Sequence, residues 1–182
     1  MELLSQYGIR DSKQLDDEKI LEAAPLLMKQ LTHSLLIVNN RKYNEVHQNN
    51  NMNEIKAKLH NQAYINLSKK EKLPRLKIID QFTPEATYYR YLRYEPEVIR
   101  GIHFETGAED RYPSVAAASV IARYAFLKSM EQMEEQYGMT FHKGGGAKAN
   151  ESGRQFVEKF GSERLSEVAK LHFKNTEKIL KK

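Results

Sequence analysis

Only three stretches of this sequence read as strands, and helical spacing lies between and after them, so the chain has to layer helices on a short sheet. Ser34-Leu-Leu-Ile-Val38 is an unbroken apolar run, the pattern of a strand buried on both faces. Leu76-Lys-Ile-Ile-Asp-Gln-Phe82 is the second and ends in a carboxylate. Val98 to Glu105 is the third, with Ile102 and Phe104 on one face. The order is that of an α/β protein, yet three strands are few for this many helices, and the sheet looks short of members.

The helices are legible from spacing and caps. Ser12 or Asp16 can cap a helix with apolar face Ile20, Ala23, Ala24, Leu27 and Leu31, and Pro25 predicts a kink or break in it. Polar chain at Asn49 to Asn53 precedes a helix on Ile55, Leu59, Ala63 and Leu67. Lys56, Lys58 and His60 then form a basic, exposed side. Thr83 and Pro84 restart a helix to about Tyr91, and Pro113 introduces a long one over Ser114 to about Gln136. After Gly144-Gly-Gly146, two amphipathic segments follow, Gly153 to Phe160 and Glu163 to Leu180.

With 182 residues and 40% hydrophobic content, the chain supports one sizeable core and reads as a single domain over 1–182. It contains no cysteine, so any metal site must use oxygen or imidazole, and a reducing cytoplasm suits it. No apolar run approaches the roughly 20 residues of a membrane helix, and the first residues lack the pattern of a signal peptide. The net charge of +5 favours polyanionic partners, although such a surplus is also common in proteins that bind none.

Asp80 stands at the carboxyl end of its strand, where open α/β sheets place their sites, and capping of the next helix is the competing role. Glu109 and Asp110 precede the long helix, whose positive end also welcomes acids for structural reasons. Carboxylates from two elements meeting at one sheet end would supply the hard oxygen ligands of Mg2+. Tyr88-Tyr-Arg-Tyr-Leu-Arg-Tyr94 interleaves rings and arginines, read as base stacking or, from its helical spacing, as core. Gly144-Gly-Gly146 between Lys143 and Lys148 could approach phosphates or form a mobile turn.

Three motifs occur in order: Asp11-Ser-Lys-Gln-Leu15, Ile79-Asp-Gln-Phe82, and Glu105-Thr-Gly-Ala-Glu-Asp-Arg-Tyr-Pro-Ser-Val-Ala-Ala-Ala-Ser-Val-Ile-Ala-Arg123. Together they resemble the bacterial type 2 ribonucleases H. Val38-Asn-Asn-Arg-Lys-Tyr-Asn44, Lys58-Leu-His-Asn61, Phe141-His-Lys-Gly-Gly-Gly-Ala-Lys148 and His172-Phe-Lys-Asn-Thr176 are similar to the ribonuclease HIII branch. The resemblance implies a ribonuclease H-like fold and hydrolysis of the RNA strand of RNA–DNA hybrids with Mg2+ or Mn2+. It makes Asp80 and Glu109 catalytic metal ligands, with Asp110 the competing choice for the second, and implies a two-metal mechanism. Ser12, Lys13, Lys56 and Asn61 are the candidate substrate contacts, with capping or a solvated face as the alternative for each.

The family's first two acids lie in an Asp-Glu-Val-Gly-type motif that has no counterpart in 1–182. The resemblance therefore implies an incomplete catalytic domain, with a helical C-terminal part and with its first strands and a substrate-binding domain upstream of Met1. Such a chain would be inactive or weak by itself. A non-catalytic nucleic-acid-binding module derived from a ribonuclease H is the other reading.

Overall fold

The computed structural model describes residues 16–181, in two compact units. The first takes the described residues up to Leu36 together with Asn51–Leu127, and the second takes Ile37–Asn50 and the chain from Lys128 onward. No helix among the described residues is long and apolar enough to cross a membrane.

In the first unit, α1 (Asp17–Gln30) is capped by Asp16, whose carboxylate accepts from the Lys19 N–H at 2.8 Å. Ile20, Ala23, Ala24 and Leu27 pack against Ala116, Ala117, Val120 and Ile121 of the long helix, small residues on both sides. The helix runs through Pro25 without the break that was one of the two expected outcomes there, a kink being the other, and Leu31 is exposed beyond its end. Pro25 and Leu21 both lie on the solvent side, where water can hydrate the carbonyl that proline leaves unpaired.

Ser34 to Val38 is not a strand. No other strand flanks it among the described residues, its side chains are only half-buried, and Ile37 is 62% exposed. A polar helix not foreseen, α2 (Asn40–His47), follows directly and belongs to the second unit. Next comes α3 (Met52–Ser68), which buries Ile55, Ala57, Asn61 and Ile65. Its core face is thus rotated from the expected one, and Leu59, Ala63 and Leu67 are only half-buried.

β1 (Lys77–Asp80) and β2 (Ile102–Glu105) form a two-stranded parallel sheet, in register from Lys77 opposite Ile102 to Asp80 opposite Glu105. The connection carries α4 (Glu85–Tyr91), as a parallel pair requires. Ile79, Ile102, Ala57, Tyr88 and Leu92 make the core beneath the sheet. The third strand is shorter than expected, because Gly101 turns the chain at φ 67° and Ile99 bonds to α3 instead of a strand. Leu76, at the head of β1, is 56% exposed.

α5 (Pro113–Tyr137) contributes residues 113–127 to the first unit and 128–137 to the second. In the second unit, Tyr137, Phe141, Phe156 and Leu165 form the core. It holds α6 (Ala147–Phe160), which starts earlier than its apolar spacing suggests, directly after its N-cap Gly146. The expected helix over Glu163 to Leu180 is instead α7 (Leu165–Val168) and α8 (Lys174–Leu180). Asn44 breaks it: its amide donates to the Ser166 and Ala169 carbonyls and its oxygen accepts from Leu171 N–H, replacing helical bonds.

Candidate metal centre

The apolar run of β1 delivers Asp80 to the carboxyl end of the sheet, and the ladder continues one step further through Gln81 N–H to the Glu105 carbonyl at 3.0 Å. After β2 the chain reverses at Gly107, φ 70°, into a single 3-10 turn over Ala108–Asp110. A positive φ there favours glycine. The turn sets the Ala108 N–H 3.1 Å from Asp80 Oδ1, so the residue next to Glu109 is tied directly to Asp80. Among the described residues Asp80 Oδ2 accepts no hydrogen bond.

Glu109 is 7% exposed, and Ser119 Oγ on α5 donates to its Oε2 at 3.0 Å. Asp110 is exposed, which favours Glu109 over Asp110 as the inward acid. Two carboxylates at one strand end, one with an unused oxygen, have the chemistry of a hard divalent cation. Among the described residues no group of three or more His, Cys, Asp or Glu is placed to hold a metal ion.

Glu105 lies opposite Asp80 in register but is engaged elsewhere. The Tyr112 hydroxyl donates to it at 2.7 Å, His103 Nε2 lies 3.0 Å away, and Arg111 pairs with it. These partners, Tyr112 first, hold its carboxyl down to about 2. The brace closes the turn that carries Glu109.

On the other side stands α3. Lys56 Nζ sits over the Phe82 ring, 4.2 Å from its centroid, and the His60 ring is 5.3 Å from that of Phe82. Burial lowers the Lys56 ammonium, opposed by the Asp80 charge. Burial also pushes the His60 imidazole down to about 4, helped by Lys56 and again opposed by Asp80. The expected basic, exposed helix side is therefore corrected: His60 is half-buried, and Lys58 pairs with Glu54 and Glu95 at 3.2 and 3.6 Å.

Asn61 does not face solvent. It is 3% exposed, its Nδ2 donates to the Glu97 carbonyl at 2.8 Å, and its Oδ1 accepts from Ile99 N–H at 3.0 Å. It clamps the chain entering β2, where it was expected as a contact to nucleic acid. Ser12 and Lys13 lie outside the described residues.

Of the ring-rich stretch, Tyr88 is wholly buried and Tyr94 is 84% exposed beneath Arg93. His142 and His172 belong to the second unit. The backbone N–H of His142 donates to Ser152 Oγ, and His172 stacks on His47 at 4.1 Å. Sequence reasoning missed Phe82 and His60 as neighbours of Asp80. The four-residue step from Lys56 to His60, which places both on one side of a helix, was the available signal.

A family model described as Ribonuclease HII matches residues 1–176. Ribonuclease HIII of Bacillus cereus is 41% identical over 183 residues, covering 98% of this chain and 59% of that protein. Ribonuclease HIII of Listeria monocytogenes is 42% identical over 185 residues, covering 100% and 60%. The crystal structure of Bst-RNase HIII in complex with Mn2+ matches with a TM-score of 0.93 at 39% identity, over 97% of this chain and 59% of that one. The fold is therefore ribonuclease H-like, and the chain spans about 59% of the length of these relatives.

Proposed function

The chain belongs to the ribonuclease HII family, and from that premise we propose that it carries part of the catalytic domain of a cytoplasmic endonuclease that hydrolyses the RNA strand of RNA–DNA hybrids. The observation that carries this reading is the tie between Asp80 and the Ala108 N–H, which brings two acids of different elements to one sheet end. Asp80 and Glu109 are the residues that would hold Mg2+ or Mn2+. The donor set fits: both are hard oxygen ligands, and each is oriented by a hydrogen bond from a neighbour, Ala108 or Ser119. When bound, the ion supplies Lewis-acid polarisation of a phosphate oxygen and an acidified water.

The chain's own residues do the positioning. Glu105 holds Tyr112 and Arg111, and so fixes the turn that presents Glu109. Lys56 offers a cation to a backbone phosphate beside Asp80, and Ser12 and Lys13 are further phosphate contacts. Two carboxylates leave most of an octahedral shell unfilled by protein, so the 182-residue chain alone should cleave hybrids weakly or not at all.

A labelled RNA–DNA hybrid incubated with the chain in Mg2+ or Mn2+ tests this. Little or no cleavage is expected. Robust turnover abolished by Asp80→Asn would overturn the weak-activity claim while keeping Asp80 as a ligand. Hybrid binding with no response of the Ala108 and Glu109 amide resonances to Mn2+ would favour the non-catalytic binding module instead.

A further inference from the structure

α3 lies along β1 in a fixed alignment. Tyr64 donates its hydroxyl to the Ile78 carbonyl at 2.7 Å, while Lys56 and His60 reach Phe82 just past the strand end. Eight helical residues from Lys56 to Tyr64 rise about 12 Å. Ile78 lies in β1, and Phe82 lies two residues beyond Asp80, the last residue of the strand. One face of the helix thus touches the strand near its start and the chain again past its end, with the helix running antiparallel to the strand.

At the far contact a lysine rests on one ring, and a second ring packs against the first. A free lysine has a flexible four-carbon stem and loses much rotamer entropy when it binds an anion. Here the ammonium already rests 4.2 Å from the Phe82 centroid, and the His60 ring, one turn along the helix, packs against the same ring at 5.3 Å. The cation–π contact fixes the charge without neutralising it, so its hydrogens remain available to an oxygen ligand.

We propose that Phe82 and His60 are positioning residues that hold the Lys56 ammonium as a preset clamp for one nucleic-acid phosphate beside Asp80. The proposal rests on the nucleic-acid reading above and deepens it by assigning the specificity of that site to phosphate rather than base. Phe82 acts through the face of its ring, and His60 acts by keeping that ring in place.

The test is the salt dependence of binding, since the slope of log affinity against log salt counts neutralised phosphates whereas stability does not enter it. A fluorescently labelled RNA–DNA hybrid is titrated with the 182-residue chain across a range of KCl, without divalent ions. Lys56→Met should make the slope shallower by about 0.7 to 0.9, one phosphate. Phe82→Leu and His60→Gln should each lose the same contact in part or whole although Lys56 is still present, Phe82→Tyr should restore it, and Lys56→Met/Phe82→Leu should lose no more than Lys56→Met. Thermal melts of each variant report folding separately.

Unchanged slopes in Phe82→Leu and His60→Gln, with a shallower slope in Lys56→Met, would overturn the positioning role and leave Lys56 as an ordinary contact. An unchanged slope in Lys56→Met would overturn the clamp itself. Absence of salt-dependent binding by the unsubstituted chain would overturn the nucleic-acid reading, and the clamp with it.

Discussion

Glu167 in the second unit and Asp80 in the first are both carboxylates held at junctions of several elements, and their oxygens are treated in opposite ways. Glu167 Oε1 takes Arg41 at 2.7 Å, and its Oε2 takes the Tyr137 hydroxyl at 2.6 Å and Arg164 at 2.9 Å. Arg164 and Tyr137, with Arg41, hold it down to about 2. Asp80 accepts one backbone N–H on Oδ1, and its other oxygen accepts nothing among the described residues. Glu105, directly opposite Asp80, resembles Glu167 rather than its neighbour. Two acids paired across one strand end thus differ in what their oxygens are committed to, and only Asp80 keeps an oxygen open to an outside group among the described residues.

The largest effect that can break this contrast is on metal. Asp80→Asn should abolish Mn2+ broadening of the Ala108 and Glu109 amide resonances, a greater loss than the roughly 10- to 100-fold typical of outer-sphere changes. Glu167→Gln should leave the broadening intact. If both substitutions behave alike, the contrast has no functional content.

Stability comes next. Asn61 engages both ends of its amide, as Glu167 engages both its oxygens, and Asn61→Ala removes the side-chain partner of the Glu97 carbonyl and of the half-buried Ile99 N–H. A loss of about 1 to 3 kcal/mol in a denaturant titration is expected. A loss within experimental error would show that the clamp is dispensable.

The acid limb is a smaller effect. The carboxyls of Glu105 and Glu167 are depressed from the ordinary 4.5 to about 2, so the stability they confer is present above 4.5 and is lost as pH falls toward 2. The Tm of the chain should fall through that window. Glu167→Gln, which cannot titrate, should start lower at neutral pH and fall less steeply.

The smallest effect sharpens the choice between neighbouring acids. Asp110→Asn is an exposed change and should alter stability by less than about 0.5 kcal/mol, with Mn2+ broadening retained. Glu109→Gln should weaken it. Reversal of these two outcomes would move the ligand by one residue.

What the sequence made legible follows from which forces leave a local pattern. Pro113 and the small-to-large apolar run of α5, and the apolar approach to Asp80 in β1, are both written in consecutive residues. α2 was missed because only Tyr43 is buried among its polar residues, and its signal was the cap: Asn39 accepts from Lys42 N–H at 2.8 Å. The asparagines read as loose polar chain hold a second cap, Asn51 on Glu54 N–H. Asn61 could not be found by apolar periodicity because it is a polar residue in a core position, justified by backbone groups 36 and 38 residues away. The strand expected at Ser34 to Val38 fails for a related reason: an apolar run states a need for burial, and a ladder partner has to come from elsewhere. At the candidate site, the acids were singled out by their motifs, whereas the ring platform under Lys56 depends on how α3 is seated.

That seating makes α3 a length gauge. Removing or inserting one residue between Lys56 and Tyr64 would turn the two ends about 100° relative to each other. With Tyr64 kept on Ile78, Lys56 would then swing off Phe82. Substitutions at exposed positions of that interval, such as Gln62, can be absorbed one side chain at a time. Changes in its count cannot, so those positions should tolerate varied residues while the interval tolerates no indels.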